Sequence, residues 1–173
     1  MDGPYALMSA IVRFDLGEEP CELKTPPFGA NMALKKTVFQ KYGLFRTDLG
    51  PTAGTLRRGE DTELCRRLIT PGESLVYAPE AIVYHPVAEE RMRKRYFESW
   101  YFNYGRSSVR VDGIPASSIR CFGLPRYLLR SLVEFFLKWI GTLNSQRRFY
   151  YKLQLFRVAG EITEACRLSL THR

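Results

Sequence analysis

Hydrophobic and polar positions alternate along this chain with helical spacing in some stretches and in short apolar runs elsewhere. The clearest helix begins after Gly59, where three acids, Glu60, Asp61 and Glu63, lead into an apolar and basic run ending at Leu68. Residues three, four and seven apart share a helix face, so Asp61 falls on the stripe of Leu64, Cys65 and Leu68. Glu63 and Arg67 are spaced as an ion pair on a wet face. Upstream, Lys35–Tyr42 carries Val38, Phe39 and Tyr42 at helical spacing, with Gly43 as a stop. Leu44–Gly59, with Gly50-Pro51, Gly54 and Arg57-Arg58, reads as a loop of a length often used for functional lids.

The remaining first-half segments are short. Tyr5–Phe14 is apolar without a deciding period, a buried strand or a short helix. Asp15–Pro27 is broken by Gly17, Pro20, Pro26 and Pro27 into loop. Phe28–Leu34 is small and apolar and predicts a strand that lets something approach its backbone. After Pro71-Gly72, Leu75–Tyr77 and Ala81–Tyr84 predict two further short strands around Pro79. This order is consistent with an α/β half-domain.

The second half is helical in pattern. Glu89–Tyr104 predicts a helix whose start is basic and whose Phe97, Trp100, Tyr101 and Tyr104 make an aromatic stripe suited to a core. Gly105–Gly123 reads as a polar linker. Pro125 opens another helix, in which Arg126, Arg130, Glu134 and Lys138 form one narrow polar line and apolar residues fill almost every other position. So wide an apolar arc, carrying four charges, suits a helix lying in a lipid interface better than one spanning it; the other home is an internal bundle. Gly141–Ser145 breaks this helix, and a last one runs from Arg147 to about Ser169.

Charge and cysteine usage sharpen the picture. Of the 173 residues, 1–90 hold 10 Lys/Arg against 13 Asp/Glu, whereas 91–173 hold 16 against 5. Such an asymmetry points the second half at something anionic. The cysteines Cys21, Cys65, Cys121 and Cys166 form no CxxC pair, which argues against a zinc ribbon or redox dithiol and for reduced thiols in a cytosolic setting. No basic n-region of a signal peptide precedes an apolar core at Met1-Asp2-Gly3-Pro4, and no apolar run reaches the ~18 residues of a membrane span. The chain is therefore expected to be cytoplasmic and peripheral at the inner face of the cell membrane.

Asp61 is the residue with most chemical promise. A carboxylate on a buried face has its charged form disfavoured and becomes a better base, while one in a first helical turn can simply accept the free amides there. Spacing alone leaves both roles open.

Taken in order, Pro27-Phe28-Gly29-Ala30-Asn31-Met32-Ala33, Tyr42-Gly43-Leu44-Phe45, Asp48-Leu49-Gly50, Gly59-Glu60-Asp61-Thr62-Glu63-Leu64 and Tyr77-Ala78-Pro79-Glu80-Ala81-Ile82-Val83-Tyr84-His85-Pro86-Val87 resemble the second half of a family 2 glycosyltransferase. The resemblance covers roughly residues 27–110. It implies an α/β fold, a partial GT-A-like (Rossmann-like) half-domain over residues 1–105, with a linker at 106–124 and a C-terminal amphipathic helical extension at 125–173. It also implies an inverting transfer of a sugar from a nucleotide-sugar donor to an acceptor hydroxyl of a glycan, lipid or small molecule. Asp61 would be the general base and Glu60 would orient the acceptor; Gly29, Ala30, Asn31 and Arg58 would line the substrate, and His85 would approach a divalent metal, Mg or Mn. The sequence departs from the family in two places. No Asp-x-Asp occurs, so the metal site is incomplete on this chain and a partner chain is one way to complete the domain. The Gln-x-x-Arg-Trp motif of processive synthases is also absent, the nearest string being Met92-Arg93-Lys94-Arg95-Tyr96, which favours single-sugar transfer. The other reading is a non-catalytic basic module that binds an anionic membrane surface. Nucleic acid is not expected as a partner, because the basic and aromatic residues near Arg147 sit on a helical apolar pattern.

Overall fold

Helices dominate, and strands are few and short. The computed structural model describes residues 10–11, 13–27, 29–51, 58–115, 117–121 and 123–171. It is mixed in content but mostly helical, 55% helix against 5% strand. The chain divides into two compact units, Met1–Gly50 with Gly59–Arg91, and Pro51–Arg58 with Met92–Arg173.

In the first unit, β1 (Cys21–Glu22) pairs antiparallel with β2 (Val76–Tyr77), Cys21 opposite Tyr77 and Glu22 opposite Val76. The Leu23 amide donates to the Leu75 carbonyl at 2.7 Å and lengthens this bridge. Helix α1 (Lys36–Tyr42) ends where its sequence predicts: Gly43 takes φ 80° and its N–H donates to Phe39 O. Helix α2 (Glu60–Ile69) starts after Gly59, which sits in the left-handed region at φ 99°. Leu64, Cys65 and Leu68 are buried, the stripe that the spacing predicts.

Two strand expectations fail here. Gly29-Ala30 form a turn and Asn31 a bend, and Phe28 lies outside the described residues. Ala81–Tyr84 is irregular, with Ile82, Val83 and Tyr84 all exposed. An apolar run becomes a strand only when a neighbour completes its hydrogen-bond ladder. Among the described residues, both sheets are two-stranded and antiparallel. The parallel sheet of a Rossmann-like half-domain is therefore not formed by these residues. Tyr5–Phe14 lies mostly outside them.

The second unit is built on α5 (Ser145–Thr171), 27 residues long. Helix α3 (Lys94–Asp112) follows a 3₁₀ turn at Glu89–Met92, and α4 (Arg126–Gly141) follows a small hairpin of β3 (Arg120–Cys121) and β4 (Leu124–Pro125). Lys94 lies over the Phe149 ring, Glu98 pairs with Lys152 at 2.7 Å, and Arg110 pairs with Glu164. These pairs climb both helices together, so α3 and α5 run parallel. Helix α4 runs the other way, with Arg157 over Phe135 and Arg148 over Trp139. Trp100 and Tyr101 are buried as the aromatic stripe predicts, and Trp100 stacks on Tyr104 at 5.2 Å.

The boundary expected at residue 105 falls inside α3. Gly105 reads as a breaker in sequence, yet it is a contact point. A Cβ there would lie 2.0 Å from the Arg157 carbonyl oxygen, and a Cβ on Gly160 would lie 2.0 Å from that of Phe102. The two glycines let the α3 and α5 backbones touch, which no other residue permits. Close by, Glu164 is fully buried and accepts from Arg106 at 2.9 Å and Arg110 at 2.7 Å. Burial pushes its carboxyl up, but the hydrogen bonds and charges of the two arginines outweigh that and hold it below the usual range. One turn earlier, Glu161 is pushed up by burial, with Arg157 opposing.

Candidate functional site

Three separated stretches of the first unit meet at the N-terminus of α2. Glu60, Asp61 and Glu63 occupy its first turn, where free amides and the helix dipole favour negative charge. The Gly29 amide donates to Asp61 Oδ2 at 2.8 Å. Oδ1 accepts from the Thr62 amide at 2.7 Å and lies 3.3 Å from the Thr62 hydroxyl. Asp61 thus takes the amide-accepting role its spacing allows, from two directions. It takes up a first-turn amide, and it also reaches a loop 32 residues upstream.

Gly29 is required at its place by space. A Cβ there would stand 2.6 Å from Asp61 Oδ2, inside contact distance. The rest of that loop is held from two sides. The Asn31 side-chain Nδ2 donates to the Ala81 carbonyl, and Met32 Sδ lies 3.6 Å from the buried Cys65 Sγ. The Cys65 thiol is pushed up to about 11 by burial and, secondarily, by the Asp61 charge. It is held as a neutral thiol, with no nucleophilic role at ordinary pH. Glu60 lies against Gly50, whose added Cβ would be 3.1 Å from the Glu60 carboxyl carbon. Gly50 has φ 83°, so backbone and space both favour glycine there.

A residue outside the expected site secures this region. Arg67 forks onto Glu63 at 2.8 and 3.1 Å and donates to the carbonyls of Tyr42 and Leu44, the latter at 3.0 Å. The Glu63 and Arg67 side chains are only 15% and 29% exposed, so their pair is not on a wet face. It fastens α2 to the end of α1. The sequence signal was present in the i,i+4 spacing, but the two carbonyls are invisible to it. At the same end of α1, Glu73 accepts from Lys41 and Tyr42, and those hydrogen bonds hold its carboxyl below the usual range.

The structure therefore brings Gly29 against Asp61 at the α2 N-terminus, with Glu60 beside Gly50, while Asn31 is tied to Ala81 and Ala30 is exposed in the same turn as Gly29. Arg58 belongs to the second unit, where its guanidinium lies 4.8 Å over the Trp100 ring. His85 stands exposed in the irregular stretch after Ala81. Among the described residues, no group of three His, Cys, Asp or Glu side chains is placed to hold a metal ion. His85 does not gain the oxygen partners a hard divalent cation needs, so these residues do not by themselves fit one.

Compared with known proteins, the chain matches no family model, no curated protein and no solved structure.

Proposed function

We propose that this chain is the acceptor side of an inverting glycosyltransferase, with Asp61 as the general base. The observation that carries the reading is that the Gly29–Asn31 loop is tied both to α2 and to the stretch at Ala81. Pieces of the resembling motifs at Gly29, Asn31, Asp61 and Ala81, far apart in sequence, are joined by direct hydrogen bonds. In this reading the acceptor hydroxyl gives its proton to an Asp61 carboxylate oxygen as its own oxygen attacks the anomeric carbon of the donor sugar. The bond from that carbon to the diphosphate breaks, and the nucleoside diphosphate leaves with the electron pair, inverting the centre. Gly29 lets Asp61 approach closely, and its amide fixes the orientation of the carboxylate. Glu60 orients the acceptor. The GT-A-like sheet, the donor site and its divalent metal are assigned to a donor-binding half, because the described residues offer neither the sheet nor the oxygen ligands.

The test is release of nucleoside diphosphate from a panel of nucleotide-sugars, measured for residues 1–173 alone and with a donor-binding half, each with and without Asp61→Asn. The expected result is no turnover by residues 1–173 alone. The completed enzyme is expected to lose at least ~10²-fold on Asp61→Asn with unchanged circular dichroism. Full activity in Asp61→Asn removes the base assignment, and robust transfer by residues 1–173 alone removes the need for a second half.

A further inference from the structure

Helix α4 uses only part of its surface for packing. Leu128 is buried, while Phe135 and Trp139 are half-buried beneath Arg157 and Arg148 of α5. The opposite side is exposed and divides lengthwise into two strips. One strip is apolar: Val133, Phe136, Leu137 and Ile140 are 48–57% exposed, and Leu143, just beyond the helix, is 99% exposed. The other strip is charged, with Arg126, Arg130, Glu134 and Lys138 all exposed. Arg147, at the start of α5, is a further exposed cation.

We infer that this outer face of α4 is a docking surface for an anionic lipid bilayer, on which the helix lies parallel to the membrane plane. Three observations select this occupant. First, α4 has 16 residues, about 24 Å of helix, and no helix among the described residues is long and apolar enough to cross a membrane. Second, one side of α4 is already packed on α5, so lipid can reach only the outer side. Third, among the exposed charges Arg126, Arg130, Glu134, Lys138 and Arg147, four cations stand against one acid. Arginine and lysine stems can lie along apolar surface while their charges reach phosphate headgroups. An apolar strip bordered by cations matches the boundary between acyl chains and anionic headgroups. The inference does not rest on the transferase reading and can stand or fall separately.

The test is co-sedimentation of the full 173-residue chain with phosphatidylcholine vesicles, with and without roughly 30 mol% phosphatidylserine. Binding is expected to the anionic vesicles, little to the neutral ones, and is expected to weaken as salt rises from about 0.05 to 0.5 M. Leu137→Asp is expected to weaken partitioning at least ~10-fold. Arg126→Glu with Arg130→Glu is expected to weaken it by more than about fivefold for each cation reversed. All three side chains are solvent-exposed, so circular dichroism should be unchanged. A Leu143→Trp reporter, at a site that packs on nothing, should shift to the blue and be quenched by brominated lipid. The inference is overturned by absence of binding to either vesicle, by binding indifferent to both variants, or by an unquenched reporter on bound protein. A solution dimer dissociated by Leu137→Asp, without lipid binding, would also overturn it by making the face a protein interface.

Discussion

The two units of this chain are held by different physics. In the first, the buried stripe of α2 is short, and much of the rest is fastened by polar contacts: Arg67 on two carbonyls, Glu73 on Lys41 and Tyr42, Asp61 on the Gly29 amide. In the second, long helices meet along their lengths, with backbones in contact at Gly105 and Gly160 and a buried carboxylate between two arginines. A loop region fastened by individual hydrogen bonds can open piecemeal, whereas a helix crossing fails as a whole. The region carrying the candidate base is thus the one built to adjust locally.

The sharpest test of this contrast is Gly160→Ala. In an ordinary helix interior the change would stabilise by about 1 kcal/mol. Here the new Cβ meets the Phe102 carbonyl, α3 must move away, and a net loss of about 2–3 kcal/mol is expected in urea unfolding. Gly141→Ala, whose Cβ would meet nothing within 4 Å, should change stability by under about 0.5 kcal/mol. Equal effects at both glycines would remove the backbone contact as a cause.

Next in size is Glu164→Gln, expected to cost about 2–3 kcal/mol at neutral pH by replacing the buried carboxylate that Arg106 and Arg110 share with a neutral amide. Since folding lowers the Glu164 pKa, its stabilisation is fully present above the ordinary carboxylate value and is lost as pH falls through the folded value. The gap between wild type and variant should hold steady from about pH 5 upward and close below about pH 4. Glu161 is shifted the other way, so its contribution is present at low pH and lost as pH rises. Glu161→Gln should therefore change neutral stability by under about 1 kcal/mol.

A more local effect concerns the first unit. Arg67→Ala is expected to cost about 1–2 kcal/mol, expressed as local opening rather than global unfolding. Thiol labelling reads this directly. Cys21, Cys121 and Cys166 are exposed and should react promptly, whereas Cys65 is buried with its thiol pushed up to about 11. Cys65 should react slowly in wild type and severalfold faster in Arg67→Ala, while hydrogen exchange along α5 stays unchanged. Equal acceleration in both units would erase the distinction between them.

The helices and the strand at Leu75–Tyr77 are legible in sequence, whereas the strands expected at Phe28–Leu34 and Ala81–Tyr84 do not form among the described residues. Gly43 and Gly59 bracket α1 and α2 as their patterns predict, and Asp61 lies over Leu64, Cys65 and Leu68 at the expected spacing. Ile82, Val83 and Tyr84 look like a strand in sequence and are exposed coil in the structure. Gly105 looks like the start of a linker and is the middle of a helix contact. Of the candidate site, the link between Gly29 and Asp61 follows from motif order only through a resemblance; their hydrogen bond does not. Arg58 and His85 share that resemblance, yet one lies over Trp100 and the other in exposed coil.

The division follows from where each structure finds its hydrogen bonds. A helix closes its bonds within four residues, so apolar spacing, a stop glycine and acidic first turns determine it within a local window of sequence. A strand takes its partners from elsewhere in the chain, and a glycine crossing depends on which helix arrives opposite it. Sequence alone determined the amphipathic helices, the charge asymmetry and the acids at the start of α2. Tertiary structure decided that Gly29 closes on Asp61, that Gly105 meets α5, and that half of α4 remains facing outward.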